Sequence, residues 1–168
     1  GVERLEIIMD YHPKHSAAAD SAFELIKLNN CLKDWPRVER YSDYLLKRKK
    51  FKRYPKNKLT DTWVKAVGNQ GDAENSSGKE IKTGGDRPGG LARQLVGRDH
   101  YLRAVKRFPK HADAAKLVFN AGAISEQAEL TEEAIDLYER VIKRYPKAEQ
   151  ATESHWVLGL LYESQTEF

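Results

Sequence analysis

One cysteine, Cys31, and one methionine, Met9, supply all the sulfur in 168 residues. A single cysteine excludes an intrachain disulfide and leaves the redox compartment open. At a helical position it is expected as a small buried hydrophobe. No run approaches the roughly 18 apolar residues that span a bilayer, so any membrane association is expected to be indirect. No signal peptide opens the chain, and Gly1 reads as a cut start that leaves room for one upstream.

Catalytic and metal-binding patterns are missing too. The histidines, His12, His15, His100, His111 and His155, are spread along the chain. His12 and His15 stand three apart without a second ligand pair, so neither a metal nor any other cofactor is expected. His15 and His111 fall at equivalent repeat positions near helix starts and read as surface residues. No Ser-His-Asp or Cys-His arrangement can be nominated. The stretch GGDRPGG at 84–90 lacks the lysine-serine ending and strand context of a phosphate loop. An enzyme is therefore not expected from these residues.

What is present is mixed charge and a repeat. There are 29 basic and 25 acidic residues, for a net charge of +4, and 40% of residues are hydrophobic. That balance permits an acidic partner without demanding one. Pro-Lys occurs at Pro13, Pro55, Pro109 and Pro146, each with an aromatic one or two residues earlier: Tyr11, Tyr54, Phe108 and Tyr145. Residues 101–110 read YLRAVKRFPK and residues 138–147 read YERVIKRYPK. Thirteen residues after each proline stand Ile26, Gly68, Gly122 and Gly159. A small residue at one fixed helical position lets two backbones approach closely. Such a repeat is sought first because it decides the architecture.

Pro109 and Pro146 are 37 apart, whereas Pro55 and Pro109 are 54 apart. The excess falls in residues 69–90, rich in Gly, Ser, Asn and Asp, which read as a flexible insertion. Each unit reads as two helices, with apolar residues at helical spacing such as Leu117, Ala121, Ile124 and Ala128. Thr131 is the expected N-cap of the following helix, with Leu130 and Ile135 as its staple. Asp34 is placed before another helix, with Pro36 in its first turn. Helices are expected at 2–10, 15–31, 35–53, 58–68, 91–107, 112–128, 132–144 and 149–164.

These residues resemble the tetratricopeptide repeat family. Gly122, Ala134, Tyr138, Val141 and Pro146 follow its pattern of small, aromatic and proline positions. Gly97, Tyr101, Ala104 and Pro109 repeat part of it. Leu158, Gly159 and Tyr162 are similar to its Leu-Gly-x-x-Tyr. The first unit departs, with Ile26, Val38 and Ser42. The resemblance implies an all-α, right-handed solenoid of antiparallel helix pairs, about eight helices over residues 1–168. The aromatic-Pro-Lys junction and the longer repeat resemble bacterial envelope versions: the outer-membrane assembly lipoprotein, the Tol-Pal coordinator and motility-complex subunits. A periplasmic or outer-membrane-associated location is thereby implied, with the cytoplasm as the alternative. Both ends read as cuts through repeats, so the natural protein is expected to continue in both directions.

Family members bind a protein or peptide partner in the concave groove. The resemblance places Phe23, Lys65, Phe119 and Trp156 at one groove position, although a one-residue shift in helix phase would move them into the core. Lys65, Asn69 and Asn120 match three places of the carboxylate clamp some members use, while Glu153 and Val157 fail the other two. Lys27, Asn30, Lys116 and Glu126 complete a polar groove. Apart from the resemblance, Lys47, Arg48, Lys49, Lys50, Lys52 and Arg53 put six charges within seven residues. They serve either as a solvated helix end, favoured by the macrodipole, or as a patch for nucleic acid or an anionic surface. The first expectation for function is a protein-binding scaffold in an envelope assembly. A nucleic-acid-binding repeat is the second, with little aromatic interleaving to support it. A helper domain of an enzyme beyond these residues is the third.

Overall fold

The computed structural model describes residues 2–48 and 54–166. Eight helices account for most of them: α1 (Val2–Tyr11), α2 (Ser16–Cys31), α3 (Trp35–Leu46), α4 (Lys56–Thr83), α5 (Arg87–Arg107), α6 (Ala114–Gln127), α7 (Thr131–Arg144) and α8 (Glu149–Thr166). The fold is all-α, with no strand among the described residues. The chain gathers into two compact units, Gly1–Asn69 and Gln70–Phe168.

Two kinds of joint alternate along it. The tight joint closes the α2/α3, α4/α5 and α6/α7 hairpins with three residues each. Its centre is a left-handed residue, Lys33 (φ 56°), Gly85 (φ 100°) or Glu129 (φ 62°). Each makes the same pair of bonds back into the helix: Lys33 N–H to Asn30 and Asp34 N–H to Asn29, Gly85 to Lys82 and Asp86 to Ile81, Glu129 to Glu126 and Leu130 to Ser125. That is the Schellman closure, which satisfies carbonyls orphaned at a helix end. Asp34 and Asp86 then cap the next helix, accepting from Arg37 N–H at 3.2 Å and Gly89 N–H at 2.9 Å. At the third joint the cap is Leu130, without a side-chain bond, and Thr131 is already helical. The expected threonine cap is thus displaced by one residue, because the Schellman turn fixes where α7 begins.

The second joint is the residue-proline step, at His12, Phe108 and Tyr145. A residue before proline is pushed out of the helical region, and Phe108 and Tyr145 share one backbone state (φ −130°, ψ 67° and φ −129°, ψ 49°). Each still donates its N–H four residues back, and its carbonyl accepts from the residue three ahead. His15 and His111, three residues past two of these steps, accept through Nδ1 from Ala17 N–H at 3.1 Å and Asp113 N–H at 3.2 Å. The repeat phase seen in the sequence is therefore a phase of backbone joints.

In the first unit, Ala18, Ala22 and Leu25 of α2 meet Met9 of α1, Val38, Tyr41 and Leu45 of α3 and Leu59 and Ala66 of α4. Cys31, expected inside, is exposed. It is the last residue of α2, beside the turn rather than on the packed face. In the second unit, Ala134, Tyr138 and Leu158 centre a cluster with Phe119, Ile135, Ile142, Val157 and Leu161 around them.

Residues 69–90 are not a flexible insertion. They complete α4, form the turn at Gly84, Gly85 and Asp86, and begin α5. Gly71 and Gly78 on α4 face Gly97 and Gly90 on α5. A Cβ on Gly78 would stand 2.5 Å from the Gly90 carbonyl oxygen, and one on Gly97 would stand 2.7 Å from that of Gly71. Neither distance is compatible with a side chain. Seven-residue spacing places both glycines of each helix on one side. Gln94, 1% exposed, fills the space between them and bonds Asn75 at 2.8 Å, Gln127 at 3.2 Å and Lys82 at 3.2 Å. The segment lacks large apolar residues because backbone-to-backbone contact replaces them.

Candidate partner-binding surfaces

The first unit holds a cleft of about 670 Å³ between α2 and the start of α4. Asp20, Phe23, Glu24 and Lys27 reach it from one face of α2, and Lys58, Leu59 and Thr62 from one face of α4. Both sets follow the three- and four-residue steps that align side chains along a helix. Tyr54 and Phe23 stack with centroids 4.4 Å apart to form part of its floor. Tyr54 donates its hydroxyl to Asp20 at 2.6 Å, which fixes the ring. Lys27 stands 5.5 Å from the Phe23 centroid and pairs with Glu24 at 2.6 Å. Lys58 is exposed at the rim. The cleft thus joins an aromatic floor to two acids and two lysines. This composition suits an amphipathic segment with charges of both signs.

The nominated groove residues have separate fates. Phe23 and Lys27 line the cleft. Asn30 is exposed one turn further on, and Lys65 is exposed and paired with Asp61 at 3.0 Å. Asn69 is half-buried. In the second unit Lys116 is exposed, while Phe119 is half-buried and packs on Tyr138, with ring centroids 5.4 Å apart. Asn120 bonds the Tyr101 hydroxyl, and Glu126 accepts from the Tyr138 hydroxyl at 2.8 Å. Trp156 is 71% exposed on α8. The residues matched to a carboxylate clamp divide between the units, Lys65 and Asn69 in the first and Asn120 in the second.

Of the basic run, Lys47 pairs with Asp43 at 2.7 Å. Arg48 lies 3.4 Å from the Tyr44 ring centroid and donates to the Pro13 carbonyl at 3.3 Å and the Tyr44 carbonyl at 3.1 Å. It closes the first proline joint, as the Tyr145 hydroxyl closes the Pro109 joint at 2.8 Å. Lys49, Lys50, Lys52 and Arg53 lie outside the described residues.

Buried tyrosines donating hydroxyl hydrogen bonds to carboxylates recur in both units. Tyr41 donates to Glu6, Tyr101 to Asp72 at 2.6 Å and Tyr138 to Glu126 at 2.8 Å. Burial, reinforced by the Glu6 carboxylate, pushes the Tyr41 hydroxyl up to about 12. Burial and then the neighbouring carboxylate raise Tyr101 and Tyr138 as well. Such hydroxyls are held as donors and position the helices that carry them.

Sequence reasoning missed Tyr54, Lys58, Leu59 and Thr62 as cleft residues. Their signal was the helical spacing immediately after Pro55, where Lys58, Thr62 and Lys65 follow one another at steps of four and three on one helix face. No helix among the described residues is long and apolar enough to cross a membrane. No protein-family model matches the chain, and no curated protein matches it.

Proposed function

We propose that this chain is a protein-interaction scaffold of the tetratricopeptide-like, right-handed solenoid kind, seating a peptide segment of a protein partner in the cleft between α2 and α4. The observation that carries the reading is the cleft itself: a Phe23–Tyr54 stack with charged side chains of both signs along its edges. Repetition of the same two helix joints along the chain supports the solenoid reading, since stacked hairpins are how such arrays bury their core. The aromatic-Pro-Lys junctions favour a bacterial envelope assembly and a periplasmic or outer-membrane-associated site of action. Against a nucleic-acid role, Lys47 and Arg48 are engaged within the protein.

The reading is tested by replacing Thr62 with a photo-crosslinking amino acid and irradiating the chain in a bacterial envelope extract. A crosslinked peptide from an envelope protein, lost in a Lys27→Glu/Lys58→Glu variant, is the expected result. Crosslinks that the charge reversals leave unchanged would dismiss the cleft as the seat, and crosslinks to nucleic acid would transfer the function to the basic run.

A further inference from the structure

We propose that the edge of the second unit where α5 and α7 end is a docking face for an anionic phospholipid membrane surface. In the sequence the face is one octapeptide pattern, basic-x-x-Lys-Arg-aromatic-Pro-Lys. Residues 103–110 read RAVKRFPK and residues 140–147 read RVIKRYPK, with no acid in either. A third copy, KKFKRYPK at 49–56, falls mostly outside the described residues and is no part of the face.

α5 and α7 lie side by side and run the same way. Arg98 in the middle of α5 bonds Glu133 in the first turn of α7 at 2.9 Å, and past both ends the Tyr145 hydroxyl donates to the Pro109 carbonyl at 2.8 Å. Both basic sets therefore emerge on one edge, and Lys110 and Lys147 flank that last bond. Seven of the eight basic residues are exposed, and Arg140 is half-buried. Lys143 pairs with Glu139 at 2.5 Å. Among the described residues no acid pairs with Lys106, Lys110, Arg144 or Lys147. A helix C-terminus favours cations, which accounts for Lys106, Arg107, Lys143 and Arg144. It does not account for the lysine after each proline. That residue stands before the positive N-terminal end of the next helix, where a cation is disfavoured. All four joints nevertheless keep it, and Lys14, Lys56, Lys110 and Lys147 are each exposed.

The charge distribution selects the occupant. The second unit holds 14 basic and 16 acidic residues. Eight of the basic ones belong to the two octapeptides, and every acid lies outside them. One edge is thus strongly positive on a unit that is otherwise negative. A flat anionic surface can meet such an edge alone, with the rest of the unit turned away from it. Nucleic acid calls for a basic domain, and single-stranded bases need open rings to stack on. Phe108 and Tyr145 are half-buried, and the Tyr145 hydroxyl is already engaged. None of the exposed large hydrophobic residues falls within 103–113 or 140–149. The contact is therefore one of charge without insertion, direct and peripheral, not the indirect association expected from the sequence. Each lysine or arginine held at such a surface strengthens binding about fivefold. The cleft of the first unit takes no part in this docking.

The test sediments the full chain with vesicles of phosphatidylcholine, alone or with about one third phosphatidylglycerol. Binding only to the anionic vesicles is expected, and about 1 M salt should abolish it, since the Debye length there is about 3 Å. Lys110→Glu/Lys147→Glu should weaken binding at least about tenfold. The thermal midpoint should hold, because neither side chain has an ion-pair partner to lose. Lys110→Arg/Lys147→Arg should bind as the wild type does. Lys79→Glu/Arg87→Glu makes the same charge change on exposed residues at the α4/α5 turn, the opposite end of α5, and should cost about twofold or less. No binding to anionic vesicles at low salt, or equal losses from the two glutamate pairs, would overturn the proposal. So would tighter binding to duplex DNA that Lys110→Glu/Lys147→Glu abolishes, which would give the face to nucleic acid.

Discussion

The α4/α5 hairpin from Gln70 onward and the α6/α7 hairpin belong to one unit, close on the same turn and each lay a tyrosine ring over a glycine, yet they are held together differently. α6 and α7 interlock side chains such as Phe119 and Tyr138. Toward their shared turn α4 and α5 have almost no side chains to interlock, and Gly78 and Gly90 bring the backbones into contact around a buried glutamine. The first arrangement is apolar packing of ordinary kind. The second obtains close packing by removing side chains, and it satisfies its one large buried polar group with three neighbours. A glycine-rich, polar segment can therefore be a rigid hairpin where its glycines fall at helical register.

The largest effect separating or uniting the two hairpins is expected in alkali. Tyr101, Tyr138 and, in the first unit, Tyr41 have folded-state values raised above 10.0. A raised value stabilises the fold fully below the unfolded-state value, and the contribution is lost as pH rises through the folded-state one. Circular dichroism should show stability falling from pH 10 toward about 12, where Tyr41 titrates. A flat profile to pH 12 would mean that the tyrosines are not held protonated by burial. Next in size, Gly78→Leu should cost about 3 kcal/mol in urea unfolding, because the new side chain meets the Gly90 carbonyl oxygen as well as the buried Gln94 side chain, and the backbone cannot give way. Ala123→Leu on half-buried α6 is expected to cost less, about 1 kcal/mol, since side-chain packing can adjust. Equal costs would erase the distinction drawn between the hairpins.

Tyr138→Phe should lose about 2 kcal/mol, the usual net worth of a hydrogen bond to a charged group. Tyr101→Phe should lose somewhat more, because its hydroxyl is bonded by both Asp72 and Asn120. The smallest effects lie in the shared turn. Gly85→Ala should destabilise by about 1 kcal/mol through its left-handed backbone alone, having no neighbour within 4 Å to clash with. Glu129→Gly at the same place in the other hairpin should stabilise by a few tenths of that, relieved strain outweighing added freedom in the unfolded chain. Thermal midpoints of the two variants moving in the same direction would show that the turns are not equivalent.

Much of the helical layout was legible in local pattern. Proline forbids continuation, Asp34 caps, and apolar residues three and four apart mark the packed faces, so five of the eight expected helices lie within two residues of those observed at each end. The other three are the helix expected at 35–53, which ends at Leu46, the one expected at 58–68, which runs to Thr83, and the one expected at 91–107, which begins at Arg87. The candidate sites were less legible. Phe23 and Lys27 were found by their repeat position, but Tyr54, Lys58 and Thr62 face them only because α4 packs against α2. Glu126 and Asn120 looked like groove residues and instead bind tyrosine hydroxyls inside the second unit. Repeat position states which face of a helix a residue occupies, not which neighbour claims its polar atoms.

The sequence by itself determined the all-α class and the alternating joints, because proline, aspartate caps and helical periodicity act within a few residues of backbone. Only the tertiary structure decided that residues 69–90 are a glycine-packed hairpin, that the α2/α4 cleft exists, and that the Gly122 face is filled. These depend on which helix lies opposite. A glycine or a glutamine takes its meaning from the atoms a second helix brings to it.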